Sequence, residues 1–183
     1  SDLLLRLFAG YAHPEQEYAY ELYKEPFRHS ENSMHSILPQ IASAIEVDFN
    51  RIWFTDNKWK ESRERNSESA RRISPFKIEI GEHFKNKILD IDSLEEPLQN
   101  KVKLLKALSQ KSVSGIITTN YDTLLESIFS DFKVFVGQEE LLFSNPQSIA
   151  EIYKIHGCCL KPATIVINSH DYEAFHMQRL KHY

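Results

Sequence analysis

Thr118-Thr119-Asn120-Tyr121-Asp122 and His156-Gly157 are the two clusters whose residue types could do chemistry, and Asn120 and His156 stand 36 residues apart. Asparagine both donates and accepts hydrogen bonds, so Asn120 suits a ribose hydroxyl or a positioned water. Histidine titrates near neutral pH, so His156 suits proton transfer. Gly157 lets a backbone come close to a ligand, and Asp122 can accept from a carboxamide such as that of nicotinamide. The same residues have plainer uses. Asn and Asp after a strand are common turn formers and helix caps, and a histidine before glycine is often structural or simply exposed. The pattern alone supports an α/β domain in which a nucleotide site is one reading.

Both clusters follow runs that read as strands. Val113–Thr119 is β-branched and bounded by Gly115 and Asn120, as a buried strand is. Phe132–Val136 alternates and stops at Gly137, Ile152–Ile155 ends at His156-Gly157, and Thr164–Ile167 reads as a fourth strand. Residues 121–130 read as a helix, and Asn168-Ser169 as the cap of a last helix through Tyr172 and Phe175. Strands alternating with helices argue for a parallel α/β sheet. In open parallel sheets ligands bind at the carboxyl ends of strands, where both clusters fall. One strand-helix-strand unit separates them, so they can lie side by side.

The part before this is expected to be helical. Asn32-Ser33 reads as a cap for a helix through Ile37, Leu38, Ile41 and Ile45, with Pro39 limiting how early it starts. Arg51–Phe54 is a short aromatic stretch, and residues 56–72 are a polar, solvated run. Ser74-Pro75 opens a helix with Phe76, Ile80, Phe84 and Ile88 every four residues. After Asp92-Ser93 comes another, with Leu98, Val102, Leu105 and Leu108 on one face. No internal repeat or low-complexity segment is present.

Composition narrows the function classes. The 183 residues suffice for one domain with a core. They are 42% hydrophobic and 26% charged, ordinary for a globular protein. A net charge of −4 and a sequence pI of about 6.1 argue against nucleic acid as the main partner. Apolar runs such as Leu3-Leu4-Leu5 are far shorter than a membrane helix needs, and Ser1–Gly10 does not read as a signal peptide. Cys158 and Cys159 are the only cysteines. Adjacent cysteines rarely bridge each other, and two thiols cannot make a four-thiolate zinc site. A reduced, cytoplasmic protein is the simplest expectation, with a reactive thiol pair as the alternative. The five glycines form no Gly-x-Gly turn and no P-loop.

Gly115-Ile-Ile-Thr-Thr-Asn-Tyr-Asp-Thr-Leu-Leu-Glu126 resembles the sirtuin segment Thr-Gln-Asn-x-Asp. It is closer still to the Thr-Thr-Asn-Tyr-Asp form of divergent bacterial sirtuin-like domains. Tyr153-Lys-Ile-His-Gly157 is similar to that family's His-Gly segment, and Ile165-Val166-Ile167 with Asp171-Tyr172 downstream also resembles its pattern. The motifs span about residues 113–175, and the helical block at about 33–108 is compatible with the part before them.

The resemblance implies a Rossmann-like parallel sheet that binds NAD, with a helical block inserted before the Asn-containing motif. It implies that Asn120 contacts the ribose and positions a water, that His156 is the general base, and that Asp122 is the acid of the nicotinamide pocket. It also sets Thr118 and Thr119 near the ribose, Thr119 replacing the sirtuin glutamine, and Gly157 beside the cofactor. Protein-deacylating sirtuins carry a zinc module built from two cysteine pairs, which Cys158-Cys159 cannot supply. Water is therefore the expected acceptor and no metal is expected. The implied reaction is NAD hydrolysis to ADP-ribose and nicotinamide, in the service of anti-phage defence. Such enzymes are held silent until a partner subunit or homo-oligomeric assembly activates them. A non-catalytic module that senses NAD or ADP-ribose or scaffolds an assembly is the first alternative, and an NAD-dependent protein deacylase the second. The family's Gly-Ala-Gly-x-Ser phosphate loop has no match here, since Phe8-Ala9-Gly10-Tyr11 differs. The first strand and that loop are accordingly expected upstream, with residues 1–183 a partial domain.

Overall fold

The structure, a computed structural model, describes residues 2–29, 34–87, 91–113, 115–137, 140 and 150–180. Two compact units divide the chain: Ser1–Ile78 with Val166–Tyr183, and Glu79–Ile165. Both candidate clusters lie in the second unit.

The first unit is helical. Helices α1 (Asp2–Ala12), α2 (Ala19–Lys24), α3 (Met34–Thr55) and α4 (Lys60–Arg65) precede the start of α5 (Pro75–Lys85). Ile37, Ile41 and Ile45 share the buried face that their spacing predicts, and Phe49 and Trp53 extend it. Phe8 of α1 meets Phe49 and Phe76 edge-on, each at 5.1 Å, the arrangement aromatic quadrupoles favour. Helix α3 begins at Met34 and runs through Pro39, earlier than the proline suggested. Pro39 is the sixth residue of the helix, past the first four whose N–H groups are unpaired, so it removes one helical hydrogen bond that the other 21 residues of α3 outweigh. The expected Asn32-Ser33 cap lies outside the described residues. The polar run at 56–72 is mostly exposed, but Trp59 within it is buried against Tyr11 and Phe49.

The last helix in chain order, α8 (Ser169–Leu180), belongs to this unit and starts with a reciprocal cap. Asp171 N–H donates to Asn168 Oδ1 at 2.8 Å, and Asn168 N–H donates to Asp171 Oδ2 at 3.2 Å. Lys77 pairs with Asp171, Asn168 donates to Glu46, and Ser169 N–H donates to Ser43 Oγ. These polar bonds tie the start of α8 to α3 and α5.

The second unit carries the sheet. Among the described residues it holds the end of α5, α6 (Glu96–Ser112), α7 (Leu124–Ile128) and three parallel strands, β1 (Gly115–Thr118), β2 (Lys133–Val136) and β3 (Glu151–Lys154), ordered β1-β3-β2. This is the expected α/β class, a Rossmann-like parallel sheet preceded by a helical block. The register pairs Thr118 with Lys154 and Val136 with Lys154, so all three strands end level. Ile152 on the central strand is fully buried and clusters with Ile128 and Phe129, against which Ile116, Leu124, Leu125, Val134 and Val102 pack. On the opposite face Tyr153 stacks on Phe135, its register partner on β2.

Four expectations need correction. The strand read as buried over Val113–Thr119 is β1, Gly115–Thr118, which lies at one end of the strand order and has Ile117 72% exposed, since only one neighbouring strand pairs with it among the described residues. Thr164–Ile167 is not a strand: Pro162–Thr164 forms a 3-10 turn, and the following extended chain pairs with no strand among the described residues. Ile165 and Ile167 are nonetheless buried; a β-branched run reports burial more reliably than pairing. The helix expected over residues 121–130 is confined to Leu124–Ile128, because Asn120–Asp122 is drawn into a loop. On α6 only Val102 of the expected face packs into the core; Leu98, Leu105 and Leu108 are 45%, 42% and 50% exposed. Shared spacing sets a common face without supplying anything to cover it. Ile88 lies outside the described residues. No helix among the described residues is long and apolar enough to cross a membrane.

Two glycines fix how residues 157–165 fold back. A Cβ on Gly81 of α5 would stand 2.9 Å from both the Cys159 carbonyl oxygen and Pro162 Cγ. Gly157 has φ of +94°, and a Cβ there would stand 2.2 Å from the Thr164 carbonyl oxygen. Helix propensity alone makes Gly81→Ala stabilising by about 1 kcal/mol, whereas overpacking costs about 1–3 kcal/mol. Gly81→Ala is therefore expected to destabilise by about 1 kcal/mol and Gly157→Ala by about 3 kcal/mol or more. Thermal unfolding of both variants checks this; a Gly81→Ala protein more stable than wild type contradicts the close approach.

Candidate functional site

Pairing β1 directly with β3 brings the two clusters together. Each leaves the carboxyl end of its strand, and the ends are level at the Thr118–Lys154 pair. Backbone bonds join the loops past the strand ends. Ile155 N–H donates to the Thr118 carbonyl at 3.1 Å, and Cys159 N–H donates to the Tyr121 carbonyl at 2.8 Å. The expected adjacency of the two segments is therefore observed.

The first loop is shaped by its own side chains. Asn120 N–H donates to Thr118 Oγ1 at 3.1 Å, turning the chain out of β1. Thr119 and Asn120 are exposed at the bend. Tyr121 is half-buried, its ring edge-on to Phe84 of α5 at 5.9 Å. Asp122, also half-buried, accepts from Leu124 N–H through Oδ1 at 3.0 Å. Its capping use is real, and it engages one carboxylate oxygen.

The second loop turns on Gly157. Gly157 N–H donates to the Lys154 carbonyl at 3.1 Å, and the positive φ reverses the chain there. Cys158 N–H donates to Thr164 Oγ1 at 3.2 Å, and Thr164 Oγ1 donates to the Lys161 carbonyl at 2.7 Å. His156 projects from this turn half-buried, and burial lowers its pKa below the ordinary 6.5. Near pH 7 its imidazole is neutral and able to accept a proton.

Cys158 and Cys159 are both buried. Burial first, and the neighbouring Cys158 thiol second, push the Cys159 thiol up to about 11. A thiol so protonated at neutral pH is a poor nucleophile, which argues against Cys159 as a reactive thiol.

Two residues not singled out from sequence adjoin the two loops. Lys154 closes β3 with 1% side-chain exposure, and its ammonium donates to the Asp122 carbonyl and to Glu126 Oε1 of α7, the latter at 2.7 Å. The signal that could have found Lys154 is a single cation inside the otherwise apolar Ile152–Ile155 run. Glu126, within Leu124–Ile128, carried no such signal, since acidic residues are common in helices.

No curated protein and no solved structure matches the chain. Residues 114–183, which contain both loops, match the family model of the SIR2-like domain, so this stretch is similar to domains that use NAD.

Proposed function

We propose that the chain contributes the catalytic half of an NAD glycohydrolase, which cleaves the nicotinamide–ribose bond to give ADP-ribose and nicotinamide. The observation that carries it is the meeting of the Asn120 loop and the His156 turn at the level ends of two adjacent parallel strands, within a segment similar to SIR2-like domains. In the reaction the bond between ribose C1′ and the pyridinium nitrogen breaks. Its electron pair leaves with nicotinamide, which departs neutral. Water adds to the oxocarbenium-like C1′, and its proton passes to a base. Placing the water and stabilising the cationic centre supply the rate.

The residues suit those roles. Exposed Asn120 offers an amide to a ribose hydroxyl and to the incoming water. His156, neutral at pH 7, takes the proton from ribose hydroxyl or water. Asp122 keeps Oδ2 for a carboxamide donor while Oδ1 caps α7. Thr118 and Thr119 stand at the ribose side of the loop, and Gly157 lets the backbone close on the nucleotide. NAD is the substrate and no metal is required. In the cell, the role is depletion of cytoplasmic NAD in anti-phage defence, released by a partner subunit or by self-assembly.

Full-length protein is expected to release nicotinamide from NAD once activated. His156→Ala and Asn120→Ala each lower kcat by about 100- to 10,000-fold while the nucleotide still binds. NAD binding without turnover under every activating condition would identify a sensing or scaffolding module instead. Deacylation of an acyl-lysine peptide would identify a deacylase.

The pH profile carries a separate expectation. Because the folded His156 pKa lies below 6.5, the base form persists to lower pH than an ordinary histidine allows. Activity should hold as pH falls through 6.5 and drop only below it. The residual activity of His156→Ala should lack that acid limb. A limb above 6.5 in wild type contradicts a buried, neutral His156.

A further inference from the structure

Among the described residues of the sheet unit the most buried ammonium, that of Lys154, has no role in the bond-breaking chemistry above. Lys154 is the last residue of the central strand, with its side chain on the same face as Ile152, which packs on Ile128 and Phe129 of the α7 region. An apolar residue at 154 would continue that packed column. Burying an ion pair is seldom more stabilising than burying a matched apolar pair. Stability is therefore a weak reason for a lysine at this position, and what its ammonium holds is the stronger one.

Hydrogen bonds fasten the loop after β1 to the end of β3 and the turn beyond it, three of them as follows. Two are between backbone groups, Ile155 N–H to Thr118 O and Cys159 N–H to Tyr121 O. The third runs from the Lys154 ammonium to the Asp122 carbonyl. Glu126 Oε1 receives the same ammonium at 2.7 Å, while Glu126 Oε2 is buried and takes no hydrogen bond among the described residues. The charges of Lys154 and Glu126 are both felt at the Cys159 thiol, so the pair also lies beside the turn that carries His156.

We propose that Lys154, held by Glu126, is a positioning residue: its ammonium fastens the Asp122 carbonyl, sets the loop that presents Asn120 and Asp122, and keeps it aligned with the His156 turn. The catalytic consequence rests on the NAD reading; the loop-setting role does not. Misplacing a catalytic loop by about 1 Å can cost about a hundredfold in rate without unfolding the protein.

The experiment compares full-length wild type with Lys154→Arg, Glu126→Gln and the double variant Lys154→Met/Glu126→Leu, which removes both charges and fills the space with apolar atoms. Three quantities are read: thermal unfolding, backbone hydrogen exchange in the peptide covering residues 119–123, and kcat and KM for nicotinamide release from NAD. The double variant should unfold no earlier than wild type, exchange faster at 119–123, and lose about a hundredfold in kcat with a smaller change in KM. Lys154→Arg keeps the charge and should recover most of the rate. Unchanged exchange at 119–123, or faster exchange with unchanged kcat, overturns the proposal. Should the double variant not fold, Glu126→Gln, equal in shape, must shift exchange and kcat in the same direction or the proposal fails. If wild type releases no nicotinamide, the NAD reading fails, and exchange at 119–123 alone decides whether Lys154 sets the loop.

Discussion

Everything at the site depends on one pairing, that of β1 with β3. A parallel pair must be connected by a crossover, so the strands that touch need not be consecutive. Here the third strand enters between the first two, and the register sets Thr118 beside Lys154. Two polar segments distant in sequence thereby leave the sheet at one level. A sheet ordered β1-β2-β3 would put a whole strand between them. The apolar column of Ile152, Ile128 and Phe129 holds the central strand in this place.

The loops beyond the strand ends are anchored in part by apolar contact, Cys158 and Cys159 packing with Val136 and Phe84, and Tyr121 meeting Phe84. Polar bonds and two glycines set their course further. Gly81 admits the Cys159 carbonyl and Pro162 against α5, and Gly157 supplies the left-handed turn that lets Thr164 lie close. Thr118 and Asp122 bend the first loop by bonding their own neighbours' backbone. Such short-range bonds are strong where backbone groups would otherwise go unpaired. The same groups can serve as turn formers and as ligand-facing residues, because one carboxylate or hydroxyl holds more than one hydrogen bond.

Ion pairs withdrawn from solvent recur in both units at junctions between elements, partly buried at Lys77–Asp171 and with a fully buried ammonium at Lys154. Lys77 and Asp171 join α5 to the start of α8, and Lys154 and Glu126 join β3 to α7. An ammonium so buried requires its partner, since an unpaired charge there is very costly. Each pair therefore fixes the relative placement of two elements more sharply than apolar contacts do, for it tolerates few geometries.

The amino-acid sequence by itself determined the class of the fold and the identity of the two loops. β-branched runs ended by Asn120 and by His156-Gly157 read as strands because local propensity and punctuation are properties of neighbouring residues. The helical faces at Ile37–Ile45 and the cap at Asn168 were legible for the same reason. The tertiary structure decided what depends on non-local partners. It left Ile165 and Ile167 buried outside any strand among the described residues, shortened the helix after Asp122, and left Leu98, Leu105 and Leu108 of α6 exposed. It also made Lys154 a buried fastener of the Asn120 loop, which no spacing reveals. The carbonyl and carboxylate that satisfy its ammonium lie 32 and 28 residues away, and only the packing of β3 against α7 brings them within reach.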